Sequence, residues 1–224
     1  MKKITFPLMA AAFLFAASCS SPNTDSAEVS DSVEVQDANE GEIVALDNEA
    51  STVEWIGEKI IGSKHNGTIN IKSGEFILQE NNLVGGNFVI DMHSINPVDQ
   101  DEEDNAKLKA HLSSDDFFNV EEYPEAYFSI TSVQALNEEE AAELEMKNAT
   151  HKISGNLKVR DVEKNITIPA AITITDSDVQ ANTVFNMIRT DFNVMFASDE
   201  NDPKLKDNLI KKEIHLEIHL EANR

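Results

Sequence analysis

Few residues of this chain could do chemistry, and most of them stand where a structural use accounts for them. There are six histidines. His215-x-Glu217-x-His219 sets three potential metal ligands on one face of a strand, with neighbours roughly 7 Å apart. Zinc binds imidazole nitrogen at about 2.1 Å, so strand-mates at that spacing cannot chelate it tightly, and an outward polar row is the better account. Asp99-x-Asp101-Glu102-Glu103-Asp104 has the carboxylate density of a calcium site but lacks the central glycine and terminal glutamate register of an EF-hand loop. It reads as a solvated acidic loop. The sequence contains no Gly-x-Ser-x-Gly elbow, phosphate loop, His-Glu-x-x-His motif or nucleotide fingerprint. His111 and Arg189 are the two polar residues that stand apart, each beside the apolar end of a strand. Either could hydrogen-bond a ligand headgroup, or tie a crossing segment that carries Asp115 and Asp116 to the strands.

The elements that would position these residues begin only after an exported leader. Lys2 and Lys3 precede an apolar run from Ile4 to Phe15, and Ala16-Ala17-Ser18-Cys19 closes it with small residues. The run is well short of the roughly 20 residues needed to span a bilayer, so residues 1–18 read as a signal peptide. The only cysteine, Cys19, stands where a bacterial lipobox places its acylated residue. Residues 19–48 are then expected to be a lipidated cysteine and an acidic, disordered tether, with Asp25, Glu28, Asp31, Glu34, Asp37 and Glu40 at every third position. Residues 49–224 are expected to form one domain without disulfides. The formal charge of -23 excludes nucleic acid as a partner and disfavours electrostatic docking to anionic headgroups. The membrane would be met through the acyl anchor alone, which places the protein in the bacterial envelope, on the periplasmic face or at the cell surface.

Beyond the tether, apolar residues alternate with a period of two. Ile166, Ile168, Ala170, Ile172 and Ile174 share one face of a segment, and Ile214, Leu216, Ile218 and Leu220 share one face of the last. Such alternation over many short segments predicts an all-β, antiparallel up-and-down barrel or a sandwich. Two segments break the pattern. Residues 104–118 can carry a helix, with Ser113 or Ser114 capping its last turn, and residues 137–146 are acidic and helix-favouring, as in a hairpin insertion.

One run is far more specific. His111-Leu112-Ser113-Ser114-Asp115-Asp116-Phe117-Phe118-Asn119-Val120, followed by Tyr123-Pro124 and Phe128, resembles the signature of the YceI-like, polyisoprenoid-binding family. The resemblance extends from about Ser51 to the C-terminus. It includes Ser51-x-Val53-x-Trp55, Gly74-x-Phe76, the stretch from Gly155 to Lys164, and Met187-Ile188-Arg189-Thr190-Asp191-Phe192-Asn193-Val194. Arg160-Asp161 stands where the family has a glycine-containing turn, and Asn193 replaces another glycine. Lys109-Ala110 precedes His111 where many members have Arg-Asp, so no role of that pair carries over.

The resemblance implies a lipocalin-like barrel of about eight strands, a size whose interior side chains either fill or line around one ligand, with a short helical crossing segment. It implies a hydrophobic tunnel that holds an isoprenoid lipid such as a quinone, a quinone precursor or a polyprenol, for storage or transport. The positions expected to meet that chain are Val53 and Trp55 early on, then Phe76, Phe88, Ile90 and Met92. His111, Phe117, Phe118 and Phe128 follow from the signature run. Leu157, Ile168, Ile172, Phe185, Met187 and Arg189 complete the set from the later strands. No metal, cofactor or catalytic residue is expected. An enzyme acting on a lipid in the same cavity, a protective protein with a filled barrel, and a homodimer all stay open at this point.

Overall fold

The computed structural model describes residues 24–35 and 41–224. The leader and Cys19 lie outside the described residues. Among the described residues, twelve strands form one antiparallel sheet. In chain order they are β1 (Glu28–Asp31), β2 (Glu42–Ala45), β3 (Thr52–Lys59), β4 (Lys64–Ile69), β5 (Ile71–Gln79), β6 (Asn82–Asp91), β7 (Asn96–Pro97), β8 (Glu125–Ala135), β9 (His151–Val159), β10 (Val162–Ile174), β11 (Asp178–Ile188) and β12 (Ile210–Asn223). Neighbours along the sheet run β2-β5-β6-β8-β9-β10-β11-β12-β3-β4-β7, so most of the sheet is a simple meander and the last strand lies beside β3. The sheet curls round until β4 leads through Asn70 directly into β5, and Leu46 bridges Ala222 to draw β2 towards β12. The all-β class expected from the alternation, and the lipocalin-like barrel that the resemblance implies, are what is observed.

Twelve strands stand where about eight were expected. Eight of them have eight or more residues, long enough to display the period-two pattern. The remaining four are too short to show it. Two of these correct, at residues 28–31 and 42–45, the expectation of a disordered tether over residues 19–48. β2 pairs with β5 from Glu42↔Leu78 to Ala45↔Glu75, and its Val44 is buried against the core. β1 is exposed along its length, yet it pairs with β10 from Glu28↔Thr167 to Asp31↔Lys164. It finds a partner because β10 meets β11 only over Ala171–Ile174. That leaves backbone groups of the first half of β10 and the far half of β11 to be satisfied by another strand. Asn186 on β11 donates its N–H to the Asp25 carbonyl and accepts from Ala27 N–H, both at 2.8 Å. The Asn156 side-chain amide holds both polar groups of Val33 at 3.1 and 2.6 Å. An acidic composition alone could not reveal this, because the pairing is decided by the accepting edge.

The two helical expectations are met in place. Helix α1 spans Glu102–Ser113 with Ser114 as its C-cap, and α2 spans Glu138–Glu143 in the β8–β9 connection behind an Asn137 capping box. The acidic run that invited a calcium reading starts α1. The Asp101 side chain accepts from Asp104 N–H at 2.9 Å, and Glu102, Glu103 and Asp104 fill the first turn, where the helix dipole favours negative charge. Arg160 and Asn193 both take left-handed backbone angles, φ 55° and 58°, at the two places where each stands in for a glycine.

Candidate functional site

The barrel encloses a cavity of about 650 Å³, a size typical of sites for small apolar ligands. Its wall follows from strand alternation. On β12, Ile214, Leu216, Ile218 and Leu220 face the cavity. On the outer face His215 and His219 bond instead to Asn186 and Asn182 of β11. No cluster of metal-ligating side chains occurs among the described residues. The four β12 side chains are only partly buried although they point inward, because they border space and not other atoms.

Every residue expected to meet a ligand lines this cavity, from Val53 and Trp55 on β3 to Met187 and Arg189 at the end of β11. Phe76, Phe88 and Phe128 form a ladder across β5, β6 and β8, with ring centroids 5.3 and 6.4 Å apart. Gly155 makes room for it: a Cβ there would sit 2.3 Å from the Phe128 ring. Gly67 likewise lets β7 approach, since a Cβ would lie 2.2 Å from the Asn96 carbonyl and 2.7 Å from Trp55. Phe196, Asn208, Glu58 and Lys211 also stand in the wall, where the sequence gives no sign of them. They belong to loops or strand ends, where periodicity carries no signal. The inward row of β12 was visible as a face but had not been counted as part of the site.

The cavity opens at the end where β3 finishes and β12 begins. Among the described residues of its lining, Asn208 alone is exposed. Polar groups gather there: Glu58 pairs with Lys211, and His65 pairs with Asp99 at 2.9 Å. Burial opposes the charge on Asp99, but hydrogen bonds from His65 and the Asn66 N–H outweigh it and hold the carboxyl below its ordinary range. His111 lies on the last turn of α1, bonds Asp116 through Nε2 at 3.1 Å, and meets Phe117 and Phe196 edge-on at 5.0 and 4.8 Å. It ties the crossing segment together while lining the mouth.

Arg189 does something different from either sequence expectation. It begins the 3-10 turn Arg189–Phe192 and is 2% exposed. Its partners are not Asp115 or Asp116 but three carbonyls: Nε donates to Lys211 at 3.0 Å, Nη1 to Val194 at 2.6 Å and Nη2 to Ile210 at 3.1 Å. Burial lowers its pKa, as expected for a cation taken out of water. The rigid guanidinium fork thereby pins the 194–210 loop to the start of β12, and so fixes one side of the mouth.

The YceI-like domain model matches residues 45–222, most of the chain and nearly the whole sheet. The chain belongs to the YceI-like family. Solved structures agree on the fold of this YceI-like domain. A polyisoprenoid binding domain from Saccharophagus degradans superposes with a TM-score of 0.57 at 13% identity, covering 82% of this chain and 99% of that one. BcnA of Burkholderia cenocepacia gives 0.55 at 15% identity, covering 79% and 99%. The YceI protein of Campylobacter jejuni gives 0.50 at 22%, covering 75% and 89%. No curated protein sequence matches. The match begins at residue 45, so β1 and nearly all of β2 lie outside the family's extent.

Proposed function

We propose that this YceI-like protein binds a long-chain isoprenoid lipid inside its barrel and stores or carries it in the cell envelope. The observation that carries the reading is the cavity itself: about 650 Å³, lined by aliphatic and aromatic side chains, and polar mainly at one end. An apolar chain in that space gains about 0.8 kcal/mol per buried CH₂ and asks no specific bond of any wall residue. The polar mouth suits the oxygenated end of a quinone, quinone precursor or polyprenol. Binding to a polyisoprenoid by the Saccharophagus degradans domain of the same fold supports the choice of ligand class. On this reading the protein holds its ligand and performs no reaction on it, and Cys19, acylated after removal of the leader, anchors it to its membrane.

Mass spectrometry of lipids extracted from the purified mature chain tests the proposal. One isoprenoid per chain is the expected result. A protein that carries no such lipid and takes up neither added quinone nor added polyprenol would end it.

A further inference from the structure

We infer that the rim of the cavity mouth is a docking surface for a lipid bilayer, with the β3–β4 hairpin tip as its inserting element; this rests on the lipid-binding reading above. The tip is unusual for a turn. Hairpin tips favour Gly, Asn, Asp and Ser, but here Ile60 and Ile61 occupy the turn and are 49% and 63% exposed. The turn is tight and ordered: Lys59 N–H bonds the Ser63 carbonyl at 2.9 Å, and Gly62 takes φ 110° to complete it. A Cβ on Gly62 would meet nothing within 4 Å, so space is open at that point of the tip.

The two isoleucines are not isolated. The Ile60 N–H bonds the Leu209 carbonyl, beside Asn208 at the opening. Met195, 55% exposed, lies next to Phe196 of the lining, and Val98, 51% exposed, bonds the backbone of Asn66 beside His65. Among the described residues, four of the ten large exposed apolar side chains thus belong to segments at one opening. Scattered single apolar residues need no explanation, whereas a group at one site marks an interaction surface.

Charge and chemistry select the occupant. The chain carries -23 overall, yet residues 57–65 hold Lys59 and Lys64 against only Glu58, and Glu58 is already paired with Lys211. Across the rim Lys212 pairs with Glu200 at 3.0 Å. The tip is therefore free of the acidic excess that keeps the rest of the surface from anionic headgroups. It is also continuous with a cavity whose proposed ligand is dissolved in bilayers. A membrane seated on this rim gives the lipid a dry path from acyl region to barrel.

The test uses the chain from residue 19 onward with Cys19→Ser, so that no acyl anchor masks the effect, and phosphatidylcholine vesicles with and without a long-chain isoprenoid quinone. The parent is expected to float with the vesicles and to extract the quinone. Ile60→Ser with Ile61→Ser should cut flotation and extraction rate at least tenfold, while quinone capacity from detergent stays unchanged. Ile43→Ser is the control, because that equally exposed residue sits on β2, beside the Glu42–Arg224 pair at the opposite end of the barrel. Unchanged flotation and extraction in the tip variant, or an equal loss in the control, would overturn the docking surface. If flotation depends on the tip but no quinone is taken up from detergent or vesicles, the docking surface stands and the lipid-binding reading falls.

Discussion

A chain carrying Leu157→Trp and Ile218→Trp is expected to fold and to bind almost no long-chain lipid. Both side chains line the cavity, on β9 and β12, and both are partly buried because they border open space. Larger side chains can therefore grow inward without displacing packed neighbours, unlike insertions into a filled core, which typically cost 1–3 kcal/mol. The effect on the ligand is far larger. Shutting out one five-carbon isoprene unit removes about 4 kcal/mol of burial at 0.8 kcal/mol per CH₂, roughly a thousandfold in affinity. Native mass spectrometry should show the loss of the bound form, with the thermal midpoint within a few degrees of the parent. A variant that folds and still binds the lipid with parental affinity would place the binding site elsewhere.

Arg189→Met is expected to be the most destabilising single change in the domain. It keeps most of the apolar stem but leaves the carbonyls of Val194, Ile210 and Lys211 without their donor. Each buried, unsatisfied polar group costs about 1–3 kcal/mol, so a loss of roughly 3–5 kcal/mol is expected. That is a large share of the 5–15 kcal/mol that holds a typical domain together. Arg189→Lys should recover little, because a single ammonium on a flexible stem cannot reproduce a planar fork reaching three carbonyls. Urea unfolding gives the stability change, and proteolysis between residues 194 and 210 should accelerate first. A shift below about 1 kcal/mol would mean that the loop is held by other contacts, the Ala197 carbonyl to Ile210 N–H bond among them.

The barrel was legible because its long strands alternate. Ile166 through Ile172 and Ile214 through Leu220 each commit a strand face to the interior, and that face is cavity wall. The signature run around Phe117 and Phe118 was legible as a motif, and it does form the crossing segment at the mouth. Three features were not legible, each for a physical reason. β1 adds itself to a split between β10 and β11, and the split is a property of those strands and not of residues 28–31. Arg189 was visible, but its carbonyl partners are backbone groups with no sequence signal. Phe196 reaches the mouth from an irregular loop, where neither period two nor period 3.6 applies.

Trp55 offers the most direct test of the central claim, that an apolar chain occupies the barrel. It is the only tryptophan in the chain, 7% exposed, and part of the cavity wall. Its fluorescence therefore reports on the cavity. Titration with a long-chain isoprenoid quinone, whose ring quenches indole, should give saturable quenching that ends at one ligand per chain. The Leu157→Trp, Ile218→Trp variant adds new tryptophans, so its loss of ligand is read by native mass spectrometry and not by quenching. Quenching that never saturates, or that ends far from one ligand per chain, would contradict occupation of the barrel.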